Sequence, residues 1–241
     1  MEIKFLIIAL ELILLLSSHK NDDMLQVKSF VFNEFQENTY VIWDQTKACA
    51  IIDPGCYKSQ ERLELSDFIA KNELKPELLL NTHCHIDHVL GNDYVMAKYN
   101  LPLHLHKDEL KTYSDTKKWT AMFGIPPLVL PENLVFLNAG TAISFGETSL
   151  EVLFTPGHSI ASLSFFHASS LQLFAGDVLF KQSIGRTDLP SGNLNTLLNS
   201  IKEQLLVLPD ETIVYAGHNE PTSIGEERRS NPFLRNLQAS L

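Results

Sequence analysis

One short segment, Thr82-His83-Cys84-His85-Ile86-Asp87-His88, constrains this chain more than any other. Four metal-competent side chains fall within six positions, directly after the apolar run Leu78 to Asn81. That run reads as a buried strand. Asp87 to Lys98 reads as a helix, with Val89, Leu90, Val95 and Met96 as its apolar positions. The segment is therefore a strand-to-helix turn. His83 and His85 are two apart, so in extended backbone both point to one side and Cys84 to the other. Imidazole nitrogen and carboxylate oxygen are ordinary ligands for zinc and similar ions. A chance cluster of polar residues in a loop is the alternative, but a structural loop has no use for three histidines this close.

Three later segments repeat the pattern. Thr155-Pro156-Gly157-His158, Phe174-Ala175-Gly176-Asp177 and Tyr215-Ala216-Gly217-His218 each end an apolar run with glycine and one metal-competent side chain. Glycine beside a ligand permits close backbone approach. Each segment alone is an ordinary turn. Together with the first cluster they make coincidence the weaker account.

The rest of the chain supplies strands and helices in two similar halves. Gln26 to Phe32, Asn38 to Trp43 and Ala48 to Ile52 read as strands, with Glu34 to Glu37 and Asp53-Pro54-Gly55 as turns. Ser59 to Lys71 has helical apolar spacing, and Leu103 to Leu105 reads as a brief strand. Lys111 to Pro131, with Pro126, Pro127 and Pro131, reads as an irregular surface excursion. Strand patterns resume at Leu134 to Leu137, Ala142 to Phe145, Ser149 to Phe154, Ser162 to His167 and Leu171 to Ala175. Leu194 to Leu206 is a helix pattern, Ile213 to Tyr215 a last strand and Gly225 to Leu241 a terminal helix. Such an order lets two sheets stack face to face with helices on their outer faces.

Composition narrows the function. Of 241 residues 44% are hydrophobic and 20% charged, which suits a packed core and excludes a disordered chain. The net charge of −10 disfavours nucleic acid and anionic membrane, so no nucleic-acid partner and no stable membrane association are expected. Three irregularly spaced cysteines, Cys49, Cys56 and Cys84, argue against a disulfide framework and suit a cytoplasmic location. Residues 1–23 form an apolar leader. A start-site extension ahead of Met24 is favoured over a signal segment, which would mean secretion, and both over a membrane anchor, because Phe5 to Leu16 is too short to span a bilayer. Residues 24–241 are then one domain.

The H-x-H-x-D-H segment, followed by a His, an Asp and a His at successive strand ends, resembles the metallo-β-lactamase superfamily. Within it, Ser183 to Asp188, Gly217 to Thr222 and Gly225 to Pro232 resemble the short glyoxalase-II-like hydrolases. The resemblance implies an α/β fold, the αββα sandwich of two mixed sheets with helices outside. It implies that His83, His85 and His158 hold one metal, that Asp87, His88 and His218 hold a second, and that Asp177 bridges them. Two zinc ions are the expected cofactors, with iron or manganese as alternatives. Their shared hydroxide would attack a small thioester or ester, with Asp87 and Asp177 as catalytic groups. Two features depart from glyoxalase II proper. The chain ends soon after Asn231-Pro232, without that enzyme's longer helical region. Its glutathione-binding lysine and tyrosine give way to Arg186-Thr187-Asp188. Arg186 has two readings, a clamp for a substrate carboxylate or an ion pair with Asp188.

Other polar residues carry alternatives too. Asp53 either orients a metal-binding histidine or shapes its turn. Cys84 is read as a buried structural thiol, and His104, His106 and His167 as ordinary strand or loop histidines. A different enzyme class, the mononuclear iron persulfide dioxygenases, is similar through a Gly-Arg-Thr-Asp segment and residues matching His83, His158 and Asp177. The Gly217-His218 pair speaks against it. A non-catalytic sensing module would be expected to lose ligands, and none is missing.

Overall fold

In the strands of this chain side chains alternate between two different cores. The computed structural model describes residues 25–125 and 128–235. The leader and the last part of the predicted terminal helix lie outside the described residues. Strand β1 (Gln26–Phe32) pairs antiparallel with β2 (Glu37–Trp43), and β2 with β3 (Ala48–Ile52). Helix α1 (Ser59–Lys71) then returns the chain to β4 (Lys75–Leu80), parallel to β3. Strands β5 (Leu103–Leu105) and β6 (Leu134–Phe136) extend this first sheet in parallel, in the order β1-β2-β3-β4-β5-β6.

The second sheet contains β7 (Ala142–Phe145), β8 (Thr148–Phe154), β9 (Leu163–His167), β10 (Gln172–Gly176), β13 (Ile213–Ala216) and β14 (Thr222–Ser223), in the order β14-β13-β10-β9-β8-β7. A small hairpin, β11 (Leu179–Phe180) with β12 (Ser183–Ile184), stands beside it. Both main sheets are mixed, since β10 and β13 run parallel while their neighbours are antiparallel.

Period-two alternation sorts the side chains. Tyr40, Ile42, Ala50, Ile52 and Leu80 point into the layer between the sheets, where they meet Val152, Phe165 and Phe174. Val41, Cys49, Ile51 and Leu79 point the other way, onto Leu65 and Ile69 of α1 and Val95 of α3 (Asn92–Tyr99). Beneath the second sheet, Leu173, Ala175 and Val214 pack on Leu197 of α5 (Leu194–Ser200), on Ile201 and Leu205 of the π-helical turn that continues it, and on Ile224 of α6 (Ile224–Ser230). Strands buried on both faces read as continuous apolar runs, which is how β3 and β10 look in the sequence. The αββα sandwich is the architecture found.

Three expectations need correction. The helix expected over Asp87 to Lys98 is two helices, α2 (Ile86–Val89) and α3, because the chain turns at Gly91. A Cβ at Gly91 would lie 2.7 Å from both Cys56 Sγ and Pro54 O, so only glycine passes there. The excursion expected over Lys111 to Pro131 begins with a regular helix, α4 (Glu109–Thr120), and a 3₁₀ turn over Ala121–Phe123. Among the described residues the expected terminal helix runs over α6 and is interrupted at Asn231-Pro232, where the residue before proline leaves helical backbone.

Candidate metal centre

Parallel strand pairing brings the functional loops together. Ile52 pairs with Leu80, so Asp53 and Asn81 leave the sheet side by side, and Asp53 N–H donates to Leu80 O at 2.9 Å. Gly176 pairs with Ala216, so Asp177 and His218 also emerge together. The two sheets are tied at this edge: Leu163 N–H donates to Thr82 O and Asn38 N–H to Gly217 O. The strand-end loops of both sheets therefore open on one spot.

All seven residues singled out as metal ligands lie there. The ligand atoms of His83, His85 and His158 lie within 4.8 Å of one another, as do those of Asp87, His88 and His218. Asp177 stands between the groups: Oδ2 is 3.5 Å from both His158 Nε2 and His218 Nε2, and Oδ1 is 3.4 Å from His88 Nε2. His218 Nε2 is 3.1 Å from Asp87 Oδ2.

The outer nitrogens are already engaged. Nδ1 of His158 faces Arg186 O at 2.8 Å, Nδ1 of His218 faces Gln36 O at 3.2 Å and Nδ1 of His88 faces Asp53 Oδ2 at 3.1 Å. Donation from Nδ1–H to these oxygens fixes the tautomer and leaves Nε2 as a lone pair aimed inward. His85 is turned the other way, with Nδ1 2.8 Å from His158 Nε2. Among the described residues, His83 Nε2, His88 Nε2 and Asp177 Oδ1 are buried with no hydrogen-bond partner. Buried acceptors without partners are costly, and cations at the two groups would satisfy all three. The donor set, imidazole nitrogen with carboxylate oxygen, suits zinc, iron or manganese.

The electrostatics of His83, His85 and Asp177 fit that use. At His88 and His218 burial is outweighed by the Asp87 and Asp177 carboxylates, which hold both above the usual histidine range, with a proton that a cation would displace. Burial, reinforced by the neighbouring imidazoles, holds His83 well below the usual histidine range and takes His85 down to about 3, so both offer neutral lone pairs. Burial opposes ionisation of Asp177, but His88, His158 and His218 outweigh it and hold the carboxyl well below the usual range.

Asp53 turns out to orient the site. Its carboxylate accepts from Thr82 N–H (2.7 Å), Thr82 Oγ1 (2.5 Å), Asn81 Nδ2 (3.2 Å) and His88. Those partners fill its lone pairs. The further grouping of Asp53 with His83 and His88 is thus a hydrogen-bonded support for the histidines.

A model of the metallo-beta-lactamase superfamily matches residues 32–218. The chain belongs to the metallo-β-lactamase superfamily. It is 38% identical over 201 residues to the probable metallo-hydrolase YqgX of Bacillus subtilis, covering 83% of this chain and 92% of that one. It is 36% identical over 203 residues to the hydroxyacylglutathione hydrolase GloC of Haemophilus influenzae, covering 83% and 93%. Among solved structures, BLEG-1 B3 metallo-beta-lactamase superposes with a TM-score of 0.79 at 34% identity, over 87% of this chain and 100% of that one. TTHA1623 in a di-iron-bound form gives 0.76 at 35%, over 86% and 100%. ETHE1 from Myxococcus xanthus gives 0.71 at 27%, over 86% and 83%.

The remaining residues of this metallo-β-lactamase fold sort plainly. Arg186 lines a cavity of about 370 Å³ over the centre, but Asp188 holds its guanidinium through Nε and Nη2, each at 2.7 Å. The ion pair with Asp188 is present, and it leaves Arg186 on the cavity wall. Cys84 is buried in the core, as its opposite orientation required. His104 faces Leu79 O at 3.1 Å, His106 packs on Phe154 and His167 faces Ser170, all outside the cluster. No helix among the described residues is long and apolar enough to cross a membrane.

Two residues escaped the sequence reading. Glu109, at the start of α4, is fully buried and accepts from Cys84 N–H (2.9 Å), Ser159 Oγ (2.5 Å) and Ala161 N–H (2.9 Å). Asn33 donates from Nδ2 to Gly55 O and Asp87 O, bracing α2. A buried stripe at helical spacing was the available signal for Glu109. Asn33 left none beyond its turn.

Proposed function

We propose that this chain is a metal-dependent hydrolase that cleaves a small thioester or ester at a two-metal centre. The observation that carries this reading is the convergence of His83, His85, His158, Asp87, His88, His218 and Asp177 on one spot, where His85, Asp87, His158, Asp177 and His218 line one cavity and three buried acceptor atoms of the group have no hydrogen-bond partner. His83, His85 and His158 would hold one cation, Asp87, His88 and His218 the other, and Asp177 would span the two. Divalent ions held by these residues would supply an activated water of pKa about 7 and a polarised carbonyl oxygen.

The protein's own part is orientation. Asp53, Arg186 O and Gln36 O fix three imidazoles by their outer nitrogens. Asp177, buried among three histidines, sets the spacing of the two groups. Asp87, at the start of α2, faces the cavity and is placed to accept a proton from the attacking water. No serine or cysteine nucleophile is required, and all three cysteines are buried. The relatives named metallo-hydrolase and hydroxyacylglutathione hydrolase support a hydrolytic reading. A cytoplasmic location suits the free thiols.

The likeness to ETHE1 favours a second reading, an oxidoreductase with one iron held by His83, His158 and Asp177. The intact Asp87, His88 and His218 group weighs toward two ions. Metal content should be measured on the same sample as a thioester and persulfide panel. Two ions per chain with thiol release is the expected result. One iron with oxygen uptake and no thioester cleavage would establish the second reading. Asp87→Ala and His158→Ala should abolish turnover in a folded chain, and full activity with metal retained would refute the assignment.

A further inference from the structure

We infer that the cavity over the centre selects an uncharged substrate with an aryl or branched-alkyl group and discriminates against glutathione conjugates. This rests on the thioester reading above and adds the substrate class. Aromatic side chains stand over the centre. Helix α4 and the 3₁₀ turn after it carry Trp119 and Phe123 to the cavity, and Phe35 and Leu189 complete an apolar wall. Phe123 and Phe35 meet edge to face, with ring centroids 5.1 Å apart at 77°. Trp119 and Phe123 remain 41% and 51% exposed, so both rings keep open surface at the mouth. Aromatic rings held open at a cavity mouth are contact surface for an apolar ligand.

Charge points the same way. A glutathione conjugate carries two carboxylates and needs free cations. Among the described residues, the cavity wall offers one arginine or lysine, Arg186, and Asp188 already pairs with its Nε–Nη2 edge. Lys118, at the outer edge beside Trp119, is held by Asp115 at 2.6 Å, and Asp115 itself lines the cavity. Both cations are neutralised by neighbours and a carboxylate faces the entrance. Asp115 at the entrance and a net charge of −10 over the whole chain disfavour an anionic tripeptide. Thr112 and Thr116 add no free polar group to the wall, since the Thr116 hydroxyl donates to Cys84 O at 2.8 Å and the Thr112 hydroxyl is buried.

The reaction on such a substrate balances simply. Water oxygen bonds to the acyl carbon, the carbon–sulfur bond breaks, and the thiol leaves with one proton while the acid leaves as carboxylate and a second proton. The volume of about 370 Å³ accommodates an arylacyl group with a short thiol.

Two uncleavable probes test the selectivity on the full-length protein as purified with its metals. They are S-benzyl-N-acetylcysteamine and S-methylglutathione, titrated by calorimetry and by tryptophan fluorescence. The neutral aryl probe is expected to bind about tenfold or more tightly than the glutathione probe, a difference of ~1.4 kcal/mol. Trp119→Ala and Phe123→Ala, both at exposed positions that the fold tolerates, should each bring the two affinities closer. Asp188→Asn frees Arg186 and should strengthen S-methylglutathione binding with little change for the aryl probe. Equal or tighter binding of S-methylglutathione to the natural protein overturns the inference, as does an Asp188→Asn variant with unaltered preference. A parallel assay of S-phenylacetyl-N-acetylcysteamine cleavage tests the hydrolase reading separately. Selective binding without thiol release would remove the thioester reading and leave the cavity's preference standing.

Discussion

The Glu109 carboxylate accepts the Ser159 hydroxyl at 2.5 Å, and with its other oxygen it accepts Cys84 N–H at 2.9 Å. One buried side chain thus ties the loop of His83 and His85 to the loop of His158, across the gap between the sheets. In Glu109→Ala the Cys84 and Ala161 amides lose their acceptor, whereas Ser159 keeps Ser162 Oγ at 2.6 Å. A buried donor left unpaired costs about 1–3 kcal/mol. The expected loss is about 3 kcal/mol, which for a chain of this size lowers Tm by roughly 6–12 °C. Metal content should fall with it, since both loops loosen. Glu109→Gln keeps the size and one acceptor, and should fall between. Thermal melts and metal analysis check this, and an alanine variant that melts with the natural protein and retains its metal would show that the tie is dispensable.

Asp53 has φ of +49°, in the left-handed region, and its carboxylate faces His88 Nδ1. Asparagine is among the few residues that tolerate this backbone, so Asp53→Asn changes the charge with little strain. An amide oxygen facing His88 accepts less strongly than a carboxylate, and the inward Nε2 becomes a poorer ligand. Loss of such a partner typically weakens metal affinity by about 10–100-fold. Competition with a zinc chelator should show the weaker second equivalent, and the melting temperature should fall with it, because an amide nitrogen then faces buried donors that the carboxylate accepts.

How much of this was legible follows from where the signals lie along the chain. The centre was readable because its donors come in four short segments, each after a strand whose apolar run is unmistakable. Helix α4 was not, because its buried stripe is Glu109, Thr112, Tyr113, Thr116 and Thr120. The spacing is helical, but threonine and glutamate carry no hydrophobic signal, and the prolines downstream suggested irregular chain. The same blindness hid Glu109, whose partners are 25 and 50 or more residues away. Arg186 and Asp188 are near neighbours, so their pairing could be weighed from sequence, while the place of Arg186 on the cavity wall needed coordinates.

The cysteines give a pH prediction. Burial pushes the thiols of Cys49 and Cys56 up to about 12. In the unfolded chain they ionise near their ordinary value of about 8.5. Between these values the unfolded state loses a proton that the native state keeps, so stability falls as pH rises above about 8.5 and is unaffected by them below it. A thiol reagent near pH 8 should leave both unlabelled in the native protein and label them fully in guanidinium chloride, since the thiolate is the reacting form. Chemical denaturation should show a lower midpoint at pH 10 than at pH 8, and Cys49→Ala with Cys56→Ala should flatten that dependence. Rapid native labelling would mean that these strands open readily.

Gly217 precedes His218 and packs on the carboxylate between the two metal groups. A Cβ built there would lie 2.2 Å from Asp177 Oδ1 and 2.7 Å from His88 Cε1. Contacts that close cannot be held, and neither neighbour has freedom to yield. Asp177 is confined by three histidines, and His88 is fixed by Asp53 through its outer nitrogen. Moving Asp177 by even half an ångström spoils its spacing to both groups, and sites of this kind lose function when ligands shift by about 1 Å. Gly217→Ala should therefore keep the sandwich, since the change lies at a strand end outside the three apolar cores, while losing metal and cutting kcat/KM by about 100-fold. Circular dichroism, metal analysis and thioester turnover on one preparation decide it. Natural metal content and activity in that variant would mean that Asp177 has room to move and does not set the distance between the ions.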